Sequence, residues 1–197
     1  MALLEANPSR RVHLHDLHPT QMSLGMIEVK HKAAAIRDRH SDSLDAIPVV
    51  KGPDHTLYII DHHHLARALL EEGVKTVTVS VSLDLSDIHA SAFWDEMNHR
   101  RLVYPYDCDG NGPHPFTSIP RRVIDMPDDP YRSLAWAVRM RGGFTKTTHP
   151  FAEFKWGEYF RRAGIDASDV DSATRLAKTL AAAGLPGFVW PSRDLKN

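Results

Sequence analysis

The run Lys75–Leu85, KTVTVSVSLDL, alternates without a break. Val77, Val79, Val81, Leu83 and Leu85 face one way; Thr76, Thr78, Ser80, Ser82 and Asp84 face the other. Successive side chains on a strand point to opposite faces, so this run is a half-buried strand belonging to a sheet with one covered face. The segment before it, YIIDHHHLARALLEEG (58–73), changes period partway. TLYIID (56–61) reads as a strand, and Leu65, Ala68, Leu69 and Glu72 then fit a helix that Gly73 closes.

Further upstream, RVHLHDL (11–17) alternates, with Val12 and Leu14 on one side and His13 and His15 on the other, as a short strand does. Met26, Val29, Ala33 and Ile36 recur at helical spacing. IPVV (47–50) reads as a strand, and the turn residues of KGPDH join it to 56–61 as a hairpin. Ser86 is an N-cap type of residue ahead of a helix through IHASAFWDEMNHR. Beyond Leu102 come the turn-rich VYPYDCDGNGPHPF and three helical stretches, YRSLAWAVRMR, FAEFKWGEYFRRAG and SATRLAKTLAAAG. The expectation is an α+β chain: a small mixed-sheet domain over residues 1–90, then a helical extension over 91–197 packed on it.

The 197 residues carry 24 basic and 25 acidic side chains, a formal charge of −1. DNA binding through many phosphate contacts calls for a basic excess, so nucleic acid is not a favoured partner. No apolar run is long enough to cross a bilayer, and MALLEANPSRRVHLHD lacks the pattern of a secretory signal. One cysteine, Cys108, excludes an intrachain disulfide and fits a reducing, cytoplasmic setting.

The strand-to-helix join at Asp61 carries chemistry. The first N–H groups of a helix lack intrahelical partners and the macrodipole adds positive charge, so such an end binds anions. His63 and His64 can donate to phosphate oxygens, Arg67 can clamp them one turn on, and Asp61 can hold a divalent cation or orient a histidine. The plainer reading is that Asp61 caps the helix and the histidines lie on its wet face. Asp107-Cys-Asp-Gly-Asn-Gly112 copies the opening of a calcium loop, but Ser118 stands where the bidentate glutamate belongs, so it is expected to be a turn. The aromatics Trp136, Phe151, Phe154, Trp156 and Phe160 are expected to supply core.

A strand ending in Ile-Ile-Asp, a His-bearing helix start, a later Arg-Ala, then Gly and a V-x-V-x-V strand resembles the ParB/sulfiredoxin superfamily. Leu17-His-Pro-Thr-Gln21, Glu28-Val29 and IPVV agree with it upstream. The resemblance runs from about Val12 to Val81. It points to the stand-alone ParB-like nuclease branch, to which DDPYRSLAW (128–136) and FAEF (151–154) are also similar. It implies a nucleotide at the helix start: CTP in chromosome-partitioning relatives, ATP in sulfiredoxins, ADP or ATP in free-serine kinases, the last with Mg²⁺.

The kinase branch reads Asp-Gly-His-His-Arg after an upstream catalytic glutamate. Asp61, His63 and His64 match it and Glu28 matches the acid, whereas His62 replaces the glycine and Leu65 the arginine. The resemblance thus implies Glu28 and Asp61 as catalytic residues, Asp61 as metal ligand, and Gln21, His62, His63, His64 and Arg67 around the nucleotide. The implied activity is a nucleotide-dependent phosphotransferase or nucleotide hydrolase acting on a small hydroxyl-bearing molecule. A metal-dependent nuclease on DNA and a non-catalytic ligand-binding module are the alternatives.

Overall fold

The structure, a computed structural model, describes residues 9–38 and 45–190. Residues 1–8, included above in the search for a secretory signal, lie outside the described part. The described residues divide into two compact units: one through Leu24 and over Val29–Pro127, the other Gly25–Glu28 with Asp128 onward.

The first unit holds a five-stranded mixed sheet in the order β1-β5-β3-β4-β2. Its strands are β1 (Arg10–His13), β2 (Leu17–His18), β3 (Ile47–Lys51), β4 (Leu57–Ile59) and β5 (Thr76–Asp84). β3 and β4 form the expected antiparallel hairpin, with Val49 opposite Ile59 and the Gly52 N–H closing the turn on Thr56 O at 2.8 Å. β5 runs parallel to β3 and antiparallel to β1, with Val77 and Val79 buried; past the register shift at Val49/Val50 its residues are more open.

The stretch 11–17 is not one strand. It breaks into a 3-10 turn at Leu14–Asp16, because β1 and β2 lie on opposite edges of the sheet. Four steps of extended chain reach at most ~14 Å, whereas opposite edges of a flat five-stranded sheet are ~19 Å apart. The sheet must therefore curl to bring its edges together, and Leu14, wholly buried, sits where the chain crosses.

Helices α1 (Met26–Asp38) and α2 (His63–Glu71) join strands, and α3 (Ala90–His99) follows β5. Val29 and Ala33 of α1 are buried as their spacing required. Gly73 takes φ +73°, the left-handed helix exit that favours glycine. Ser86 does not cap α3: its N–H and hydroxyl both bind Asp84 Oδ1, and the helix starts four residues later under His89, whose Nδ1 accepts from Ser91 N. Phe93 and Met97 of α3 share a core with Val50, Leu85, Val103 and Ile119. That shared core is why α3 and the loops up to Pro127 group with the sheet, beyond the boundary at residue 90 expected from composition.

The second unit is built from α4 (Pro130–Met140), α5 (Ala152–Arg162) and α6 (Val170–Ala177). Trp156 is its centre: fully buried, stacked on Phe144 at 4.3 Å, its indole N–H donating to Pro186 O at 2.8 Å. α5 lies so close to α4 that a Cβ on Gly157 would stand 2.9 Å from Tyr131 O. Among the described residues no helix is long and apolar enough to cross a membrane.

Candidate functional site

The start of α2 is where the sequence concentrated its signals. β4 ends at Ile59, and the exposed Asp61 turns its Oδ1 back to accept from His62 N at 2.7 Å. His62 is the N-cap and adopts φ +66°, ψ +23°. This is the left-handed region that glycine enters without strain, and histidine is among the few other residues found there. No side chain caps α2, and its first turn contains no acid. The Nδ1 of His62 is sealed from solvent and has no partner.

His63 turns inward. Its ring is 4 % exposed, and Nε2 accepts from the Thr20 N–H at 3.1 Å, so the proton sits on Nδ1. Burial pushes its pKa down to about 3, against the opposing pull of Asp61 and of a hydrogen bond to the Ile59 backbone. His63 is thus a neutral clasp between α2 and the loop after β2. Thr20 completes it, its hydroxyl donating to Ile59 O at 2.7 Å and its carbonyl accepting from Tyr104 N at 2.8 Å. His64 is also buried.

Two more expected residues lie in this unit. Gln21 is buried in the loop after Thr20 and donates from Nε2 to Ser23 O at 3.0 Å; the neighbouring Ser23 Oγ is sealed and without a partner. Arg67 pairs through Nε with Glu71 at 2.9 Å and donates from Nη1 to Met126 O at 3.1 Å and Val123 O at 3.4 Å. Arg67 therefore braces the segment that ends this unit, a role that spacing along the helix did not reveal.

Glu28 groups with the second unit, where its Oε2 accepts from Arg132 Nη2 at 2.9 Å. Arg132, 5 % exposed, also pairs with Glu153, which in turn holds Arg139. The adjoining Asp128 and Asp129 do separate jobs. Asp128 Oδ1 accepts from Met26 N at the start of α1, while Asp129 Oδ1 caps α4 through Tyr131 N and Arg132 N and pairs with Arg161 at 3.1 Å. Burial raises the Asp129 pKa in spite of these partners. Arg132, Glu153 and Asp129, which make these pairs, were not singled out from the sequence. The only sequence signal for them was the likeness of DDPYRSLAW and FAEF to one branch of a superfamily.

The Asp107 loop is the expected turn: its carboxylate accepts from Asp109 N, Asn111 N and His114 Nε2. Among the described residues no group of three or more His, Cys, Asp or Glu side chains is placed to hold a metal.

Comparison with known proteins agrees with the superfamily reading. The model of the family described as Putative ParB-like nuclease matches residues 10–162. The chain belongs to this family. A crystallographic relative, protein Atu1540 from Agrobacterium tumefaciens, shares 37% identity over 96% of this chain and 100% of its own, with a TM-score of 0.89. The C-terminally truncated chromosome-partitioning protein ParB from Caulobacter crescentus, complexed with CTP-gamma-S, is 16% identical over 89% of this chain and 82% of its own. Its TM-score is 0.34. No curated protein matches the chain.

Proposed function

We propose that this ParB-like protein binds a nucleoside di- or triphosphate at the start of α2 and is a nucleotide-dependent phosphotransferase or nucleotide hydrolase. The observation that carries this reading is the helix start itself, which has neither a side-chain cap nor an acid in its first turn. Backbone N–H groups and the macrodipole favour phosphate there. His62 and His64 flank the phosphates, Gln21 lines the neighbouring loop, and His63 and Arg67 hold the helix in position. Asp61, exposed, offers one ligand to a Mg²⁺ ion that would take most of its coordination from phosphate and water. ATP, ADP and CTP all suit such a site, since none of these contacts reads a base. Glu28 serves as general base toward a hydroxyl or water.

Turnover of ATP and CTP by wild type, Asp61→Ala and Glu28→Gln tests the reading. Both variants are expected to lose turnover; variants that match wild type would sink the assignment. The family description supports a second reading, a metal-dependent DNA nuclease. A charge of −1 weighs against it, and DNA cleavage with a steep salt dependence of binding would bring it forward.

A further inference from the structure

His62 enters α2 with φ +66° and ψ +23°, and its side chain makes no capping bond to the helix. Its ring is half-buried, and the burial falls unequally on the two nitrogens. Nδ1 is sealed from solvent and has no partner, while Nε2 lies on the open edge of the ring. A neutral imidazole carries one proton, on one nitrogen or the other. A proton on Nδ1 would bury an N–H with nothing to accept it, and orphaned buried N–H groups are rarer in native proteins than under-satisfied acceptors. The lone pair therefore belongs on the sealed Nδ1 and the proton on Nε2.

His63, the next residue, is the reverse. Its Nε2 accepts from Thr20 N, which leaves the proton on Nδ1. Adjacent histidines thus hold opposite tautomers, and of the two only His62 turns its ring N–H outward. With Nδ1 sealed and Nε2 protonated, His62 offers no lone pair to a metal ion or to a substrate proton. It is an uncharged donor, as a neutral histidine is when it polarises a substrate oxygen. The helix's own hydrogen bonds begin with Ala66 N to His62 O at 2.9 Å, so the N–H groups of residues 63–65 come before them. A ring N–H added to that set of donors suits an acceptor oxygen.

We infer that His62 holds the neutral tautomer with its proton on Nε2 and donates from there to a non-bridging phosphate oxygen of the nucleotide at the α2 start. The inference rests on the nucleotide reading. It assigns His62 to the phosphate chain rather than to the sugar or the base, as a donor and neither a metal ligand nor a general base.

NMR of the wild-type chain with isotopically labelled histidine reads each ring's tautomer, with His62 assigned by its loss from the spectrum of His62→Gln. Nδ1 of His62 is expected to be unprotonated and Nδ1 of His63 protonated. A proton on His62 Nδ1 would overturn the inference. Calorimetry with ATP and with inorganic tripolyphosphate reads the contact in wild type, His62→Gln, His62→Asn and His62→Gly. The glutamine amide reaches about as far as Nε2, the asparagine amide only as far as Nδ1. For both ligands His62→Gln is expected to keep affinity within about threefold of wild type, while Asn and Gly lose about tenfold, the range for one hydrogen bond to a charged group. Asparagine enters the left-handed region readily, so backbone strain does not account for its loss.

Equal losses in His62→Gln and His62→Asn would overturn the inference, as would affinity that none of the three substitutions changes. A loss seen with ATP and absent with tripolyphosphate would place the ring on the nucleoside and overturn it too. In each of these cases the nucleotide reading still stands. Absence of binding of either ligand to the wild type would remove that reading and the phosphate partner together. Should the variants fail to fold, the wild-type spectrum still decides: the His62 Nε2 signal is expected to move on adding tripolyphosphate, and a signal that stays in place would overturn the inference.

Discussion

The starts of α2 and α4 satisfy the same physical need in opposite ways. Every helix begins with N–H groups that its own turns cannot satisfy. At α4, Asp129 accepts from two of them, Pro130 fills a position that needs no donor, and Arg161 neutralises the acid. At α2 Asp61 accepts only from the N-cap N–H of His62, no side chain caps the helix's own first N–H groups, and the entering residue is in the left-handed region. α5 also enters left-handed, at Phe151, but Glu153 in its first turn already supplies a negative charge. Of these three helix starts, α2 alone has neither a side-chain cap nor an acid in its first turn.

The contrast can be broken by substitution. The largest effect is expected at Glu28: replacing the proposed base by Gln should cost about 10²- to 10⁴-fold in kcat, measured with ATP. Asp129→Ala comes next. It removes a cap and one of the two carboxylates that Arg161 pairs with, the other being Glu158, so chemical denaturation should show a loss of about 1–3 kcal/mol.

His63 gives a pH signature. Its folded pKa of about 3 lies below the ordinary histidine value, so as pH falls the unfolded chain takes up a proton that the folded chain refuses. The stability it contributes is complete above about pH 6.5 and declines by about 1.4 kcal/mol per pH unit toward pH 3. Melting curves of His63→Gln, which can still accept from Thr20 N, should show a shallower acid limb than wild type. An unchanged limb would mean that His63 is not the neutral clasp.

The smallest effects on stability are expected at the open helix start. Asp61→Ala should cost under about 1 kcal/mol in stability, because its carboxylate is exposed, while weakening nucleotide binding. A larger cost would make Asp61 a structural cap like Asp129 and erase the contrast. His62→Gly relieves the left-handed strain but loosens the unfolded chain, so stability should move by only a few tenths of a kcal/mol. Nucleotide affinity, read by calorimetry, should fall, because the His62 ring no longer flanks the phosphates.

Local signals made much of the fold legible. The alternation of 75–85 gave β5, the turn residues of KGPDH gave the β3–β4 hairpin, and Gly73 marked the end of α2. His62, which stands where the kinase branch has glycine, takes the left-handed φ that glycine enters most readily. What remained hidden depends on partners distant in the chain. Arg67 looked like a phosphate clamp because helix spacing cannot show the carbonyls of Val123 and Met126. Glu28 could be flagged as an acid on a first helix, but Arg132, more than a hundred residues away, could not be paired with it from pattern alone. The break at Leu14 followed from sheet closure, which involves all five strands at once.

The most direct test of the central claim, that the α2 start is a nucleotide site, is the melting temperature of the wild-type chain with ATP, ADP or CTP, each with and without Mg²⁺. A nucleotide at about 100 times its Kd should stabilise the native state by about 2.7 kcal/mol, a rise of about 5–10 °C for a chain of this size. That rise should shrink in Asp61→Ala. No rise with any of the three nucleotides, in either metal condition, would contradict the claim.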